Sequence, residues 1–196
     1  MKVLVACEYS GKVREAFRQL GHDAMSCDLL PADDGSEHHY QGDVRDILYD
    51  GWDILIGHPP CTYLSNAGAR HLYPKGILNQ ERLQHGLEAK EFFMLLYNAP
   101  IEKVCIENPI PSKVYELPPC TQIVQPYEYG HSTSKRTCLW LRNLKPLTPT
   151  NIVDKTTTTK IPGNWFNKGG KDRWKQRSET FQGIADAMAT QWGQIA

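Results

Sequence analysis

The chain of 196 residues has no net charge, no closely spaced cysteine pair and no long apolar run. Lys and Arg number 22 and Asp and Glu 22, so the chain as a whole lacks the positive field that draws a protein to nucleic acid. No apolar stretch approaches the roughly 20 residues of a membrane-spanning helix, so no membrane partner is expected. The opening apolar segment is too short for a secretion signal, and no small-residue cleavage site follows it. Cysteines stand at 7, 27, 61, 105, 120 and 138 with no Cys-x-x-Cys spacing, which argues against a zinc ribbon. Cys7, Cys27, Cys105 and Cys138 sit in or beside apolar runs. Buried free thiols fit that pattern and point to a reducing, cytoplasmic compartment. No repeat or low-complexity tract interrupts the chain beyond the threonine run at 156–159. The length suits a single domain, 1–196, with one α/β-sized core.

Against these absences stands one dense stretch, residues 53–68. Asp53 to Gly57 is a short apolar run bounded by turn residues, the pattern of a fully buried strand. His58-Pro59-Pro60 stops it, because two prolines remove two donors and fix two φ angles. Cys61 follows at once. A rigid turn off the carboxyl end of a central strand holds this thiol where α/β sheets bind ligands.

The flanking chain supplies the rest of such a sheet. Residues 2–6 predict a strand, 8–11 a turn, 12–20 a helix ending at Gly21, and 22–27 a second strand with Asp28 at its end. This is the nucleotide-binding half of a doubly wound fold, although the turn carries one glycine, Gly11, where the dinucleotide fingerprint has three. Asp28 is placed either to take ribose hydroxyls or merely to start a turn. Residues 31–40 read as a polar loop, in which His38-His39 lack a third ligand at a metal-binding spacing. Asp43 is a helix N-cap candidate. Residues 79–98 predict a long helix with Leu83, Leu87, Phe92, Leu95 and Leu96 on one face. Residues 102–106 predict a strand that delivers Glu107 and Asn108. Residues 121–125 and 137–141 predict a strand pair, and 179–192 a last helix with Phe181, Ile184, Ala185, Met188 and Ala189 as its apolar face. A second Pro-Pro-Cys-Thr string at 118–121 follows a loop rather than a strand.

Gly57-His58-Pro59-Pro60-Cys61-Thr62-Tyr63-Leu64-Ser65-Asn66-Ala67-Gly68 resembles motif IV of the cytosine-C5 methyltransferases, close to G-G-P-P-C-x-x-F-S-x-A-G. His58 and Leu64 depart from that pattern. Glu107-Asn108-Pro109 resembles the family's E-N-V motif, with Pro109 in place of Val. Residues 130–136, ending in Lys135-Arg136, sit where the family carries Q-x-R-x-R, and match it loosely. The last helix is similar to the one that closes the family's cofactor pocket. Amino-group methyltransferases, with Asp, Asn or Ser before Pro-Pro and an aromatic after it, fit less well.

The resemblance covers about 2–142 and 178–193. It implies a Rossmann-like class I methyltransferase fold: a doubly wound, mostly parallel sheet with helices on both faces. It implies S-adenosylmethionine as cofactor, held by Glu8, Tyr9, Ser10, Gly11, Asp28, Asp43 and Pro59. Asp43 would be similar to the family's adenine-contacting acid. Cys61 would be the nucleophile, with Glu107 and Arg136 beside the base. Pro60, Ser65, Asn108, Lys135 and Arg136 would hold the substrate.

The family's DNA enzymes carry a target-recognition domain of roughly 100 residues or more between the last strand and the last helix, a size that supports its own core. Here that interval, at about 145–177, is a small insertion. Residues 155–177 hold seven Lys/Arg against one Asp and interleave Trp165, Phe166 and Trp174. Cations with aromatics suit phosphates and stacked bases, so Lys168, Lys171 and Arg173 join the expected substrate contacts, against the plainer reading of a basic surface loop. Two substrates therefore stand: cytosine in DNA, with this loop or a homodimer partner supplying the duplex contacts, or free deoxycytidine monophosphate. A non-catalytic methyltransferase fold that binds cofactor or a partner is the third reading.

Overall fold

A computed structural model describes residues 1–69, 71–158 and 179–194. Its strands are β1 (Lys2–Ala6), β2 (Asp23–Asp28), β3 (His39–Gln41), β4 (Ile54–Gly57), β5 (Lys103–Pro109), β6 (Gln122–Val124) and β7 (Thr137–Arg142). They form one sheet in the order β3-β2-β1-β4-β5-β7-β6. Pairs from β3 to β5 run parallel, while β7 is antiparallel to both β5 and β6. The helices are α1 (Lys12–Gln19), the single turn α2 (Asn66–Ala69), α3 (Gln80–Tyr97) and α4 (Gln182–Trp192).

Both faces of the sheet are covered, so its central strands carry continuous apolar runs. Val3, Val5, Ile54 and Ile56 pack with Val13, Phe17, Ile184 and Met188 of α1 and α4. Leu4, Ala6, Leu55, Val104 and Ile106 pack on the opposite face with Phe93 and Leu96 of α3. Alternate residues of one strand thus serve two separate cores. This is the Rossmann-like class I methyltransferase architecture, doubly wound and mostly parallel.

Three local expectations change. Residues 31–40 are not wholly a loop: His39 begins the edge strand β3. Its ring nitrogens lie 2.8 Å from Ser26 Oγ and 2.9 Å from Leu30 O, and these side-chain bonds anchor a strand too short to show a period. On α3 the buried residues are Gly86, Phe93 and Leu96, and Leu87 is exposed. The reason lies at Gly86, where a Cβ would come 2.2 Å from the Tyr115 ring. The helix presses its bare backbone onto that ring, and this contact sets the face. Finally, β5 runs past Ile106 to Pro109, because β7 extends the ladder beyond the last β4 pair. Glu107 is therefore inside the strand, opposite Leu139.

Among the cysteines, Cys27, Cys105 and Cys138 are buried, while Cys7 is half-buried at a left-handed φ of 59°. Among the described residues no helix is long and apolar enough to cross a membrane.

Candidate active site at the sheet's switch point

The strand order reverses between β1 and β4, where Ala6 pairs with Gly57. Crossovers diverge to opposite sides there, leaving a crevice at the carboxyl ends of the two strands. A cleft lined by Cys7, Glu8, Tyr9, Ser10, His58 and Thr180 opens at this point. His58 N donates to Ala6 O at 2.9 Å and Glu8 N to Cys27 O at 3.0 Å, so both loops leave the sheet in fixed directions.

A single glycine suffices in the first turn. Gly11 takes φ +70°, and a Cβ there would lie 2.2 Å from the Arg14 guanidinium. Two amides at the start of α1, Val13 N and Arg14 N, donate to the Glu8 carboxyl at 2.7 and 3.2 Å. Glu8 thus fills orphan donors of its own helix while lining the cleft. Burial raises its pKa, opposed by the His58 charge and those two amides. Arg14 is fully buried and donates to Ser26 Oγ at 2.8 Å and to Asp34. On the far side, Lys12 Nζ lies 2.8 Å from Glu179 Oε2 and so ties the segment carrying Thr180 to α1.

Asp28, half-buried at the end of β2, accepts from Leu30 N at 2.9 Å and so starts a turn; burial raises its pKa. Asp43 caps the helical turn Val44–Asp46, accepting from Arg45 N at 2.9 Å and pairing with Arg45 Nη1 at 2.7 Å. The backbone amide of Arg45 leads in holding its carboxyl below the usual range.

Beyond β4, Pro59 is buried, Pro60 is exposed and Cys61 is half-buried. The loop is fastened at several points. Ser65 N donates to Cys61 O at 3.0 Å, and Gly68 N to Ser65 Oγ at 3.2 Å. Arg82 of α3 reaches across with Nη2 to Thr62 O and Gly68 O, both at 3.1 Å, its guanidinium over the Tyr63 ring. A Cβ at Gly68 would lie 2.3 Å from Thr62 O, so a side chain there would unseat the loop. The same loop is stitched to the chain after β5: Asn66 N donates to Ile110 O at 2.8 Å and Ser112 N to Leu64 O at 2.7 Å. Asn108 Nδ2 donates to Pro59 O at 3.0 Å. Cys61 and Glu107 are carried by two segments bonded to each other.

Gly57 pairs with Ile106, and the next step of that register sets His58 beside Glu107. His58 Nδ1 lies 3.0 Å from Glu107 Oε2, with 7% and 14% of the two side chains exposed. Burial alone would push the His58 pKa down; the hydrogen bond and charge of Glu107, with the charge of Glu8, outweigh it and hold His58 above its ordinary value. Burial alone would raise Glu107; the bond and charge of His58, with Lys135, hold it low. Among the described residues His58 Nε2 and Asn108 Oδ1 are buried without a hydrogen-bond partner.

Lys135, whose charge reaches this pair, also lies 5.8 Å from the centre of the Phe181 ring. Arg136 is exposed, and its charge acts on Cys138 instead. The structure therefore brings together Glu8, Tyr9, Ser10, His58, Glu107 and Lys135, with Asp28 near enough to act on His58. Lys168, Lys171 and Arg173 lie outside the described residues. The sequence reading passed over His58, which the fold sets against Glu107 at the cleft. Its signal was an ionisable side chain ahead of Pro-Pro, in register with a glutamate on the neighbouring strand.

No family model matches the chain, and no curated protein matches it by sequence. Solved structures do resemble it. A protein described as a DNA modification methyltransferase, encoded within a prophage of E. coli, aligns at 17% identity over 78% of this chain and 52% of its own, with a TM-score of 0.50. The Entamoeba histolytica methyltransferase EhMeth aligns at 14% identity over 78% of this chain and 57% of its own, with a TM-score of 0.49. A variant of Spodoptera frugiperda DNMT2 aligns at 15% identity over 82% and 55%, with a TM-score of 0.38. The chain spans a little over half the length of these proteins. The likeness to the prophage protein is one of fold, that of a DNA methyltransferase.

Proposed function

We propose that the chain is an S-adenosylmethionine-dependent methyltransferase that methylates carbon 5 of cytosine in DNA through a covalent Cys61 adduct at carbon 6. The carrying observation is the stitching of the Pro59-Pro60-Cys61 loop to the Glu107 strand at the switch point. It carries Cys61 and Glu107 on two segments that are bonded to each other where β4 and β5 end.

The cofactor's amino-acid and ribose ends would sit in the cleft. Glu8, Tyr9, Ser10 and His58 line it, and Gly11 in its left-handed turn carries the chain from there into α1. Asp28 and Asp43, at the ends of neighbouring strands, are the residues for ribose and adenine. Bound there, S-adenosylmethionine would supply an electrophilic methyl group. The protein's task is to make carbon 5 nucleophilic, which cytosine alone does poorly. Addition of the Cys61 thiolate to carbon 6 converts the ring to an enamine. Glu107 holds N3 and the exocyclic amine so that negative charge does not build on the ring. Ser65 and Asn108 hold the loop and strand in place, with Pro60 exposed toward substrate and Lys135 supplying positive charge beside Glu107.

A second substrate, free deoxycytidine monophosphate, is favoured by the small interval between β7 and α4. In that case the basic residues Lys168, Lys171 and Arg173 serve as a phosphate clamp rather than a duplex contact. Labelled S-adenosylmethionine, offered with duplex DNA, single-stranded DNA and deoxycytidine monophosphate in parallel, separates the two. Label in DNA that is lost in Cys61→Ser supports the main reading. Label in the mononucleotide alone replaces it with the second. Cofactor binding with no thiol-dependent transfer to any pyrimidine would overturn both and leave a binding module.

A further inference from the structure

We propose that His58 is the positioning residue of Glu107, and that the two side chains together hold the proton that is lent to the pyrimidine ring. The inference rests on the cytosine-C5 reading above and concerns the position where the chain departs from that family's Gly-Pro-Pro-Cys pattern. A glycine at 58 could make no side-chain contact with Glu107. The histidine places Nδ1 3.0 Å from Glu107 Oε2, within the walls of two strands that are bonded in register.

The charged groups acting on the imidazole come from four elements. Glu8 follows β1, Asp28 ends β2, Glu107 lies on β5 and Lys135 precedes β7. Three carboxyl groups against one ammonium favour imidazolium. Beside imidazolium and Lys135, Glu107 rests as a carboxylate, and a carboxylate has no proton to give to N3. The Nδ1 proton, shared with Oε2, is the available one. As the Cys61 sulfur forms its bond to carbon 6, the displaced ring electron pair moves onto N3. N3 takes a proton from Glu107, while Glu107 takes the Nδ1 proton and leaves neutral imidazole. When carbon 5 has been methylated and has lost its proton to solvent, the carbon–sulfur bond breaks and the thiolate leaves. N3 then returns its proton along the same path, so the pair ends the cycle as it began.

The first measurement is the titration of the His58 ring by NMR in the wild-type protein and in Glu107→Gln. The expected result is an imidazolium at neutral pH, with the midpoint moving down by about 1–3 pH units in the variant, the usual effect of losing a close opposite charge. Steady-state rates of His58→Gln and His58→Asn follow. Asn keeps an N–H donor near the Nδ1 position but carries no exchangeable charge. Both variants should lose about 10²-fold in kcat, and their rate–pH curves should move toward acid, where Glu107 itself is protonated. A wild-type rate and pH curve in His58→Asn would mean that the hydrogen bond alone suffices, which overturns the shared proton. An ordinary histidine midpoint in an active wild-type enzyme overturns the inference alone, even where the variants fail to fold. Absence of thiol-dependent methyl transfer by the wild type overturns the reading beneath it and the inference with it.

Discussion

The chain contains the same tetrapeptide twice. Pro59-Pro60-Cys61-Thr62 leaves a central strand buried on both faces, while Pro118-Pro119-Cys120-Thr121 leads into the edge strand β6. In the first copy the prolines follow the end of a ladder at the switch point. In the second, the backbone is consumed by packing. Trp140 Nε1 donates to Pro118 O at 2.6 Å, Thr121 N to Leu139 O at 2.8 Å, and Leu141 N to Thr121 Oγ1 at 3.0 Å. Cys120 lies against Cys138, whose thiol is pushed up to about 12, first by burial and then by this contact. Identical residues give a candidate nucleophile in one place and a structural thiol in the other. The difference lies in which strand end they occupy, not in the string.

The contrast can be broken most severely at Cys61. Cys61→Ser removes the proposed nucleophile and should lower methyl transfer by at least about 10³-fold while cofactor affinity stays unchanged, measured by label incorporation beside equilibrium binding. Glu107→Gln keeps the shape of the side chain but no longer carries a proton for N3. Its expected cost is about 10²-fold in kcat, from the same assay. Arg82→Ala tests the arginine that fastens the loop of the first string. Its two bonds to Thr62 O and Gly68 O are each worth ~1.5–3 kcal/mol as charge-assisted bonds, discounted for partial exposure. Several-fold lower kcat/KM and faster proteolysis within 61–69 are expected; unchanged proteolysis would show that the loop holds itself. Cys120→Ser should do least, under about 1 kcal/mol in thermal stability, with methyl transfer intact. A large activity loss there would mean that the two cysteines have been assigned the wrong way round.

The pH dependence of stability sharpens the same comparison. The His58 pKa is raised in the folded protein, so its contribution is fully present below its ordinary value of 6.5 and lost as pH rises through the raised value. Glu107 is lowered, so its contribution is present above its ordinary value of 4.5 and lost as pH falls through the lowered one. The pair therefore stabilises most between those ordinary values. Melting curves of His58→Gln should show the largest deficit near that interval and a shrinking one in alkali, whereas Cys120→Ser should show no such trend there.

Much of this was legible in the sequence. Strands β1 and β4 announced themselves because central strands carry unbroken apolar runs between turn residues. Asn79 and Asn98 bracket α3 as expected, with Asn79 Oδ1 accepting from Arg82 N at 3.0 Å. Two kinds of feature were hidden. Edge strand β3 has three residues and half-exposed side chains, so no periodicity could mark it. The buried face of α3 is decided by a ring from a distant segment, Tyr115, that no local pattern reports. His58 was hidden differently. It stood in plain view as a departure from a motif, but its meaning depends on a register between β4 and β5 that only the folded sheet supplies.

The turn after β1 has one more consequence. In dinucleotide-binding sheets the start of the first helix seats a pyrophosphate, because unpaired amides and the helix dipole favour an anion there. In this protein the carboxyl group of Glu8 already occupies the amides of Val13 and Arg14. The seat is filled from within the chain. A cofactor bearing phosphates would have to evict a buried side chain before it could enter, whereas one without them meets no competition. On the proposed reading Glu8 would thus select among nucleotide-like cofactors through the amides it already holds, and nicotinamide dinucleotides should fail to compete for this crevice.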